Sequence, residues 1–399
     1  MNDSCDDLDR EENNPAVLLL GVEETPALPI IWSLVKKKIP ISVGSFKHIC
    51  AGMLSHYPLE KCIYPDPNKY PGLFVEWLLE KTSSGAYPVM LACGEQTTYL
   101  LSKFKKQFES YTSIPIVDIE TFMYCRDKSL TMKAAAKCGV PIPMTWYPED
   151  VGIEHVAGIA SYPAVIKPCI SNGARGISNV NSPDDLIKLY YQTKREYGAC
   201  IVQEFIPHQG MQYKAEILLD KHQNIKLWGV YEKLRFYPPT GGSSTLNRSV
   251  YKEDILQSAA KILSYIKWWG IGDCDFIVDP RDGVAKLMEI NPRFTRTIRV
   301  LVESGVDYPY ELYRLALGLE PHEIKHYKTN VSLRYLAGDI FWFIRSKDRF
   351  QTKPNFFSFF NSNMHYEEWA IHDPFTGVGF WLSLIKDMLD PSERKRRLR

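Results

Sequence analysis

The sequence predicts an α/β protein, with a doubly wound parallel sheet in its N-terminal part and a mixed α+β region after it. Three observations predict this. Over residues 15–120, short apolar runs of the buried-strand type alternate with amphipathic helical stretches, which is the pattern of βαβ units. From about Thr121 the texture changes to strand pairs joined by short turns. The length of 399 residues is more chain than one core commonly serves, so two or three domains are expected.

The elements follow in order. Residues 1–14 carry six acids (Asp3, Asp6, Asp7, Asp9, Glu11, Glu12) against Arg10 and almost nothing apolar, which reads as a disordered lead-in. Val17-Leu18-Leu19-Leu20 is a buried strand, followed by a helix with Ile30, Ile31, Leu34 and Val35 on one face. Strands are expected at 39–43 and 61–64, and a helix at 73–81. A further strand at 89–93 leads through Gly94-Glu95 into a helix from Gln96. Ligands of such sheets bind beyond the carboxyl ends of the strands, which puts Gly21-Val22-Glu23-Glu24 and Cys93-Gly94-Glu95 at the ligand edge. The Gly21 segment lacks G-x-G-x-x-G, so no dinucleotide site is predicted.

In the second region a helix over 127–138 is stopped by Gly139, Pro141 and Pro143. Strands at 164–167 and 177–180 flank a small-residue loop. The next helix has Ser182 as N-cap and Pro183 in its first turn. A strand at 200–204, an antiparallel pair at 213–219 and 225–231, and a long helix over 252–269 come next. The last hairpin is 274–279, Pro280-Arg281-Asp282-Gly283, and 285–291. Residues from about 322 on are rich in aromatics and bases and receive no fold from this reading.

Composition narrows the function. Forty-eight basic against 47 acidic residues give a net charge of +1, so no global field steers nucleic acid and no nucleic-acid partner is expected. No apolar run is long enough to span a bilayer, and the acidic start resembles neither a secretory signal nor a transit peptide. Nine cysteines without a C-x-x-C pair suit free thiols in a reducing cytoplasm, not a disulfide frame or a zinc site.

The carboxylate hairpin is the most informative segment. With Asp282 at the midpoint of the turn, Asp275 faces Glu289 across the ladder, their Cβ atoms roughly 5 Å apart. Asn291 lies two residues on, on the same face. Like charges directly opposed are destabilising unless compensated, and a hard divalent cation held by oxygen atoms compensates them; Mg²⁺ suits this best. The alternative is a solvated strand pair whose acids face water, but Phe276, Val278, Leu287 and Met288 embed them in a core-like context.

Other residues give weaker signals. Lys167 ends an apolar strand and needs a partner. Ser171-Asn172-Gly173-Ala174-Arg175-Gly176 is a small, flexible loop whose backbone N–H groups suit phosphate, or a plain connection. Lys128 opens a helix, where a cation is disfavoured unless an anion binds. Glu204, Phe205 and Ile206 suit a flat apolar-walled ring such as adenine; an exposed strand-end acid is the plainer alternative. Lys233, Arg235 and the stretch through Ser244 read as a lid carrying its own cations, or as a surface turn. Arg293 sits just beyond the proposed metal, where a guanidinium suits a carboxyl or acyl phosphate group.

Taken in order, Lys128, Lys167, the glycine loop, Glu204, Asp275, Glu289, Asn291 and Arg293 resemble the ATP-grasp superfamily over about residues 15–320. Asp127-Lys128 before a helix ending in Gly139-Val140-Pro141-Ile142-Pro143, and Glu289-Ile290-Asn291-Pro292-Arg293-Phe294, are its most specific pieces. The latter resembles the carbamoyl phosphate synthetase and biotin carboxylase branch. Thr240-Gly241-Gly242-Ser243-Ser244 and Cys93-Gly94-Glu95-Gln96-Thr97-Thr98 look closest to carboxylate–amine ligases related to D-aspartate ligase.

The resemblance implies a pre-ATP-grasp doubly wound domain at 15–120, a two-lobed α+β ATP-grasp domain at 121–321 and an extension at 322–399. It implies ATP and Mg²⁺ as cofactors, with Mn²⁺ as the substitute ion. Lys128, Lys167 and the loop glycines Gly173 and Gly176 would bind phosphates, and Glu204, Phe205 and Ile206 the adenine. Gln212 would take the ribose, where an acid is expected. Asp275, Glu289 and Asn291 would hold the metal. Arg293, with Lys233 and Arg235, would serve the acyl phosphate. Arg175 in the glycine loop and Phe294-Thr295-Arg296-Thr297 depart from the family pattern, which bears on the acceptor and the phosphate geometry.

The implied activity joins a small carboxylate, such as an amino acid, to an amine through an acyl phosphate. The alternatives are carboxyphosphate chemistry and a non-catalytic ATP-binding protein. Self-association stays open. The end of the sequence, Glu393-Arg394-Lys395-Arg396-Arg397-Leu398-Arg399, follows an apolar, aromatic Gly379-Phe380-Trp381-Leu382 run. A peripheral membrane contact is one reading of it, and interdomain packing with a solvated basic tail is the preferred one.

Overall fold

Four short strands build the N-terminal sheet of the computed structural model, which describes residues 14–171, 173, 175–239, 241–391 and 394. They are β1 (Val17–Leu20), β2 (Ile41–Ser45), β3 (Glu60–Ile63) and β4 (Val89–Ala92). All pair in parallel in the order β3-β2-β1-β4, and all four residues of the central β1 are fully buried. Continuous apolar runs are what a parallel sheet covered on both faces requires. Gly21, just past β1, has φ 81°, and a Cβ there would lie 2.3 Å from the Cys93 carbonyl oxygen, so only glycine fits where the tails of β1 and β4 converge.

The chain divides into two compact units. The first comprises the described residues of Met1–Ile116, Pro309–Pro321 and Glu368–Glu393. The second comprises those of Val117–Tyr308, His322–Glu367 and Arg394–Arg399. The expected separate extension over 322–399 is therefore corrected. Its first part adds strands to a sheet of the second unit, and the helix Pro374–Leu389 packs on Ala51–Leu54 of the first. The lead-in at 1–13 and the tail at 395–399 lie outside the described residues.

The second unit has two sheets. One, in the order β5-β8-β6-β7, is antiparallel: β5 (Thr145–Trp146), β6 (Ala164–Pro168), β7 (Ser178–Val180) and β8 (Cys200–Glu204). The other contains β9 (Gln212–Leu219), β10 (Ile225–Tyr237), β11 (Ser243–Val250), β12 (Gly270–Val278), β13 (Ala285–Asn291), β14 (Ser332–Arg334) and β15 (Met364–Tyr366). Its order is β13-β12-β9-β10-β11-β14-β15.

Two further expectations change. The helix read as 252–269 is Glu253–Tyr265. Lys267 turns the chain with φ 58°, and buried Trp268 bonds through Nε1 to Ile271 O at 3.0 Å, so β12 starts at Gly270. The segment 233–244 is not a loose lid. Its two arms belong to β10 and β11, with Lys233 opposite Asn247 and Tyr237 opposite Ser243. Ladder hydrogen bonding holds the residues around Lys233 and Arg235, because strand propensity at Leu234, Phe236 and Tyr237 outweighs the turn-forming Gly241-Gly242 beyond them. Thr240 at that tip lies outside the described residues.

Candidate active site

Strand register brings the charged residues together. Tyr231, Lys214, Asp275 and Glu289 are successive cross-strand partners over β10, β9, β12 and β13. The next same-face row is Gly229, Glu216, Asp273 and Asn291. Asp275 does face Glu289, but by a different route from the one expected. Near the turn the register is Phe276 opposite Leu287, one residue off the Asp282-centred pairing, and a bulge between Asp275 and Phe276 restores it. The bulge offsets the misplaced midpoint.

The compensation for the opposed acids comes from lysines of the chain itself. Buried Lys214 places its ammonium 2.6 Å from Asp273 and 3.1 Å from Asp275, and Lys233 bonds the other oxygen of Asp275. Burial would lower the pKa of Lys214, but Asp273 and Asp275 outweigh it and leave the group above the ordinary lysine range. Beneath them lies a second acid pair. Burial, with the adjacent Asp273 charge, pushes the Glu216 carboxyl well up. Burial would raise Asp273 too, but Lys214, Glu216 and Asn291 bring it below the usual range. The two carboxyls are thus shifted in opposite directions, Glu216 up and Asp273 down. Thr295 Oγ1 lies 2.8 Å from Glu216 and 3.1 Å from Asp273.

Among the described residues no group of three or more His, Cys, Asp or Glu side chains is arranged to hold a metal ion. Asp275 is drawn to Lys214 and Lys233, so the expected three-ligand set Asp275, Glu289 and Asn291 is not assembled. Two oxygen donors do fit a hard cation. Glu289 makes no hydrogen bond or ion pair among the described residues. Asn291 is held through Nδ2 at 2.9 Å from Asp273, which leaves its amide oxygen free.

The two lysines lie at the start of a helix and near the end of β6. Lys128 is buried at the first position of the helix Lys128–Cys138; its N–H donates to Cys169 O just past β6, and its ammonium to Ser171 O at 2.7 Å. Asp127 caps that helix through Ser129 N. Lys167 is the penultimate residue of β6, is 9% exposed, and its ammonium has no hydrogen-bond partner among the described residues. Burial lowers its pKa to about 8; Glu289 works against this and Lys128 adds to it. An unpaired buried cation flanked by a second cation is a seat for an anion.

The other expected residues fall in several places. Glu204 ends β8 and accepts from Met144 N at 2.9 Å, Lys286 at 3.0 Å and Arg281 at 2.6 Å. Burial would raise its pKa, but these donors bring it below the usual glutamate range. Phe205 sits edge-on to His208, Ile206 is buried, and Gln212 opens β9 opposite Lys233. Gly173 and Gly176 have φ 60° and 73°; a Cβ at Gly176 would meet Pro168 Cγ at 2.6 Å. Asn172 and Ala174 of that loop lie outside the described residues. The Nε of Arg293 is buried without a hydrogen-bond partner, and its Nη1 donates to Phe294 O at 3.4 Å.

Arg235 is a correction. It is 3% exposed, pairs with fully buried Asp339 at 2.8 Å, donates to Pro354 O and lies over Trp342. Asp339 also binds Arg334 at 2.7 Å. The register shifts around Arg235 take it out of the alternation that brings Lys233 to Asp275. Arg235 thus ties β10 to the helix Leu336–Arg345 and takes no place at the carboxylates. Sequence reading missed Lys214, Glu216 and Asp273, whose charges in an apolar strand context were the available signal.

Residues 127–324 match the family described as carbamoyl-phosphate synthase L chain, ATP binding domain. Biotin carboxylase of a Nostoc species is 29% identical over 208 residues, covering 48% of this chain and 46% of that protein. D-aspartate ligase of Enterococcus faecium is 23% identical over 241 residues, covering 55% and 56%. The chain thus spans about half the length of the curated relatives it matches. A crystal structure of the biotin carboxylase domain of Hydrogenobacter thermophilus 2-oxoglutarate carboxylase, with MgADP and bicarbonate, superposes with a TM-score of 0.67 at 15% identity, covering 80% of this chain and 74% of that one. Residues 127–324, just under half of the chain, thus match an ATP-binding domain of the ATP-grasp type.

Proposed function

We propose that the protein is an ATP- and Mg²⁺-dependent carboxylate–amine ligase. The observation that carries this is the pair Lys128 and Lys167, two buried ammonium groups beside Glu289, one of them without a hydrogen-bond partner among the described residues. The similarity to D-aspartate ligase supports it.

In this reading Lys128 and Lys167 bind phosphate oxygens and neutralise their charge as the γ-phosphoryl group passes to a substrate carboxylate. Glu289 and the Asn291 amide oxygen would hold Mg²⁺, which would supply charge neutralisation to the phosphates. Asp275 joins them only by giving up Lys233. Glu204 and the backbone of Phe205 and Ile206 face the adenine, and Gln212 the ribose. Arg293, with its buried unpartnered Nε, steadies the acyl phosphate, which an amine then attacks. A cytoplasmic setting, where ATP is at hand, agrees with the free state of the eight described cysteines.

The test is an ATP-dependent screen of amino acids and small carboxylates with hydroxylamine as trap. A hydroxamate formed with one carboxylate and absent in Lys167→Ala is the expected result. ADP release driven by bicarbonate alone, without hydroxamate, would replace this reading with carboxyphosphate chemistry.

A further inference from the structure

The helix Pro374–Leu389 presents an unusual surface. Ile371 just before it is 87% exposed, and Phe375, Val378, Leu382, Ile385 and Leu389 are 60, 49, 47, 55 and 78% exposed. Their spacing alternates between four and three residues, so they form one continuous stripe along the helix. Together they expose on the order of 600 Å² of apolar surface, at the upper end of the largest patch on a typical monomer.

This orientation is held in place. Asp373 at the N-cap position is fully buried and accepts from Trp32 Nε1 at 2.9 Å, Ser55 Oγ at 2.6 Å and His56 Nδ1 at 3.0 Å. Near the other end, Asp387 accepts from Lys47 at 3.3 Å. Between them the inward face carries Thr376, Gly377, Gly379 and Leu384. A Cβ on Gly379 would lie 2.7 Å from Cys50 O and one on Gly377 3.0 Å from Trp369 Cβ, so the helix lies close against its own unit. The bulky residues point outward because glycines occupy the inward positions and acids pin both ends. The helix cannot roll its stripe inward without breaking both anchors.

We propose that this stripe docks the protein onto the surface of an anionic lipid bilayer. Charge selects the occupant. The stripe carries exposed Lys386 and is followed by Glu393-Arg394-Lys395-Arg396-Arg397-Leu398-Arg399, five bases against one acid. A second copy of the chain meeting this stripe would bring its own basic run, which repels; an anionic surface complements it. Apolar insertion joined to basic attraction is how interfacial helices bind. Among the described residues no helix is long and apolar enough to cross a membrane, so the contact is peripheral.

The experiment is flotation of the full chain with vesicles of phosphatidylcholine alone and with about 30% phosphatidylglycerol, at about 0.1 M and about 0.5 M salt. Three proteins are compared: the unchanged chain, Leu382→Glu with Ile385→Glu, and Arg396→Ala with Arg397→Ala. Melting temperature and light scattering serve as controls. Binding to the anionic vesicles is expected, reduced at high salt. It should fall at least tenfold in the stripe variant, several-fold in the basic variant, and leave melting unchanged in both. Absence of vesicle binding, equal binding to neutral vesicles, unchanged binding in the stripe variant, or a stripe-dependent dimer that ignores vesicles overturns the proposal.

Discussion

Asp275 and Glu289 face each other across one ladder, yet neutralising them should have opposite consequences. Asp275→Asn removes the carboxylate shared by Lys214 and Lys233, whose side chains are 10 and 13% exposed. Stranding a buried charge costs roughly 3–5 kcal/mol. Lys214 keeps Asp273 at 2.6 Å, so Lys233 is the cation stranded, and relief of repulsion with Glu289 returns a few tenths to about 1 kcal/mol, which leaves a net loss of about 2–4 kcal/mol. In a unit of this size that lowers the melting temperature by roughly 4–16 °C. Glu289 has no hydrogen bond or ion pair among the described residues, so Glu289→Gln removes repulsion with Asp275 and some attraction to Lys167. Melting should move by no more than about 2 °C.

The assays are thermal denaturation of the apo protein and hydroxamate formation with ATP. Glu289→Gln should keep its fold and lose turnover by about a hundredfold or more, because it removes a carboxylate of this face that no described residue pairs and that is free to hold Mg²⁺. Asp275→Asn should lose stability first. Near-normal turnover in Glu289→Gln would refute the metal assignment. An unchanged melting temperature in Asp275→Asn would refute the lysine clamp.

Three further outcomes follow from named contacts. Lys167 has its pKa lowered to about 8 in the folded state, so the unfolded chain holds that proton more tightly. Stability should therefore rise as pH goes from about 8 to 10.5, and Lys167→Met should flatten that rise, raise the apo melting temperature and weaken ATP binding sharply; calorimetry at several pH values reads all three. Arg235→Ala should destabilise by roughly 3 kcal/mol in denaturant titrations while ATP affinity of the folded fraction stays unchanged, since its partners are Asp339 and Trp342. Trypsin should cut slowly after Lys233 and Arg235 even without nucleotide, because both lie in β10, paired to β11; rapid cleavage there would restore the lid.

The N-terminal sheet was legible because Val17-Leu18-Leu19-Leu20 and Val89-Met90-Leu91-Ala92 are continuous apolar runs, a signal that depends on no distant partner. The end of the long helix was not, because the break at Lys267 is a non-glycine left-handed residue with no compositional mark. The place of residues 322–367 was not legible either. β14 is three residues long, and its role comes from pairing with β11, where Leu246 meets Arg334 and Arg248 meets Ser332 across a long stretch of chain. At the site, Lys128, Lys167, Glu204, Asp275, Glu289 and Asn291 stood out as residue types at strand or helix ends. Arg235 and Lys233, two residues apart in one basic segment, read alike. A register shift separates them, one to Asp339 and the other to Asp275.

Lys214 shows why the electrostatics of such a face needs the topology. The hairpin β12–β13 alone presents two acids and an amide, and an added cation is then the simplest compensation. But β9 lies on the other side of β12, and its register sets Lys214 against Asp275 and Glu216 against Asp273. The face therefore carries its own ammonium among its acids, and burial with the adjacent Asp273 pushes the Glu216 carboxyl up, away from a further negative charge. A divalent ion competing for Asp275 meets Lys214 and Lys233 already in place, whereas at Glu289 it meets an unpaired carboxylate. Metal affinity in this chain should thus follow Glu289 far more than Asp275. Titration of Mn²⁺ with a non-hydrolysable ATP analogue should show Glu289→Gln weakening the ion at least tenfold and Asp275→Asn only a few-fold; the reverse ranking would mean that the lysines give way to the metal.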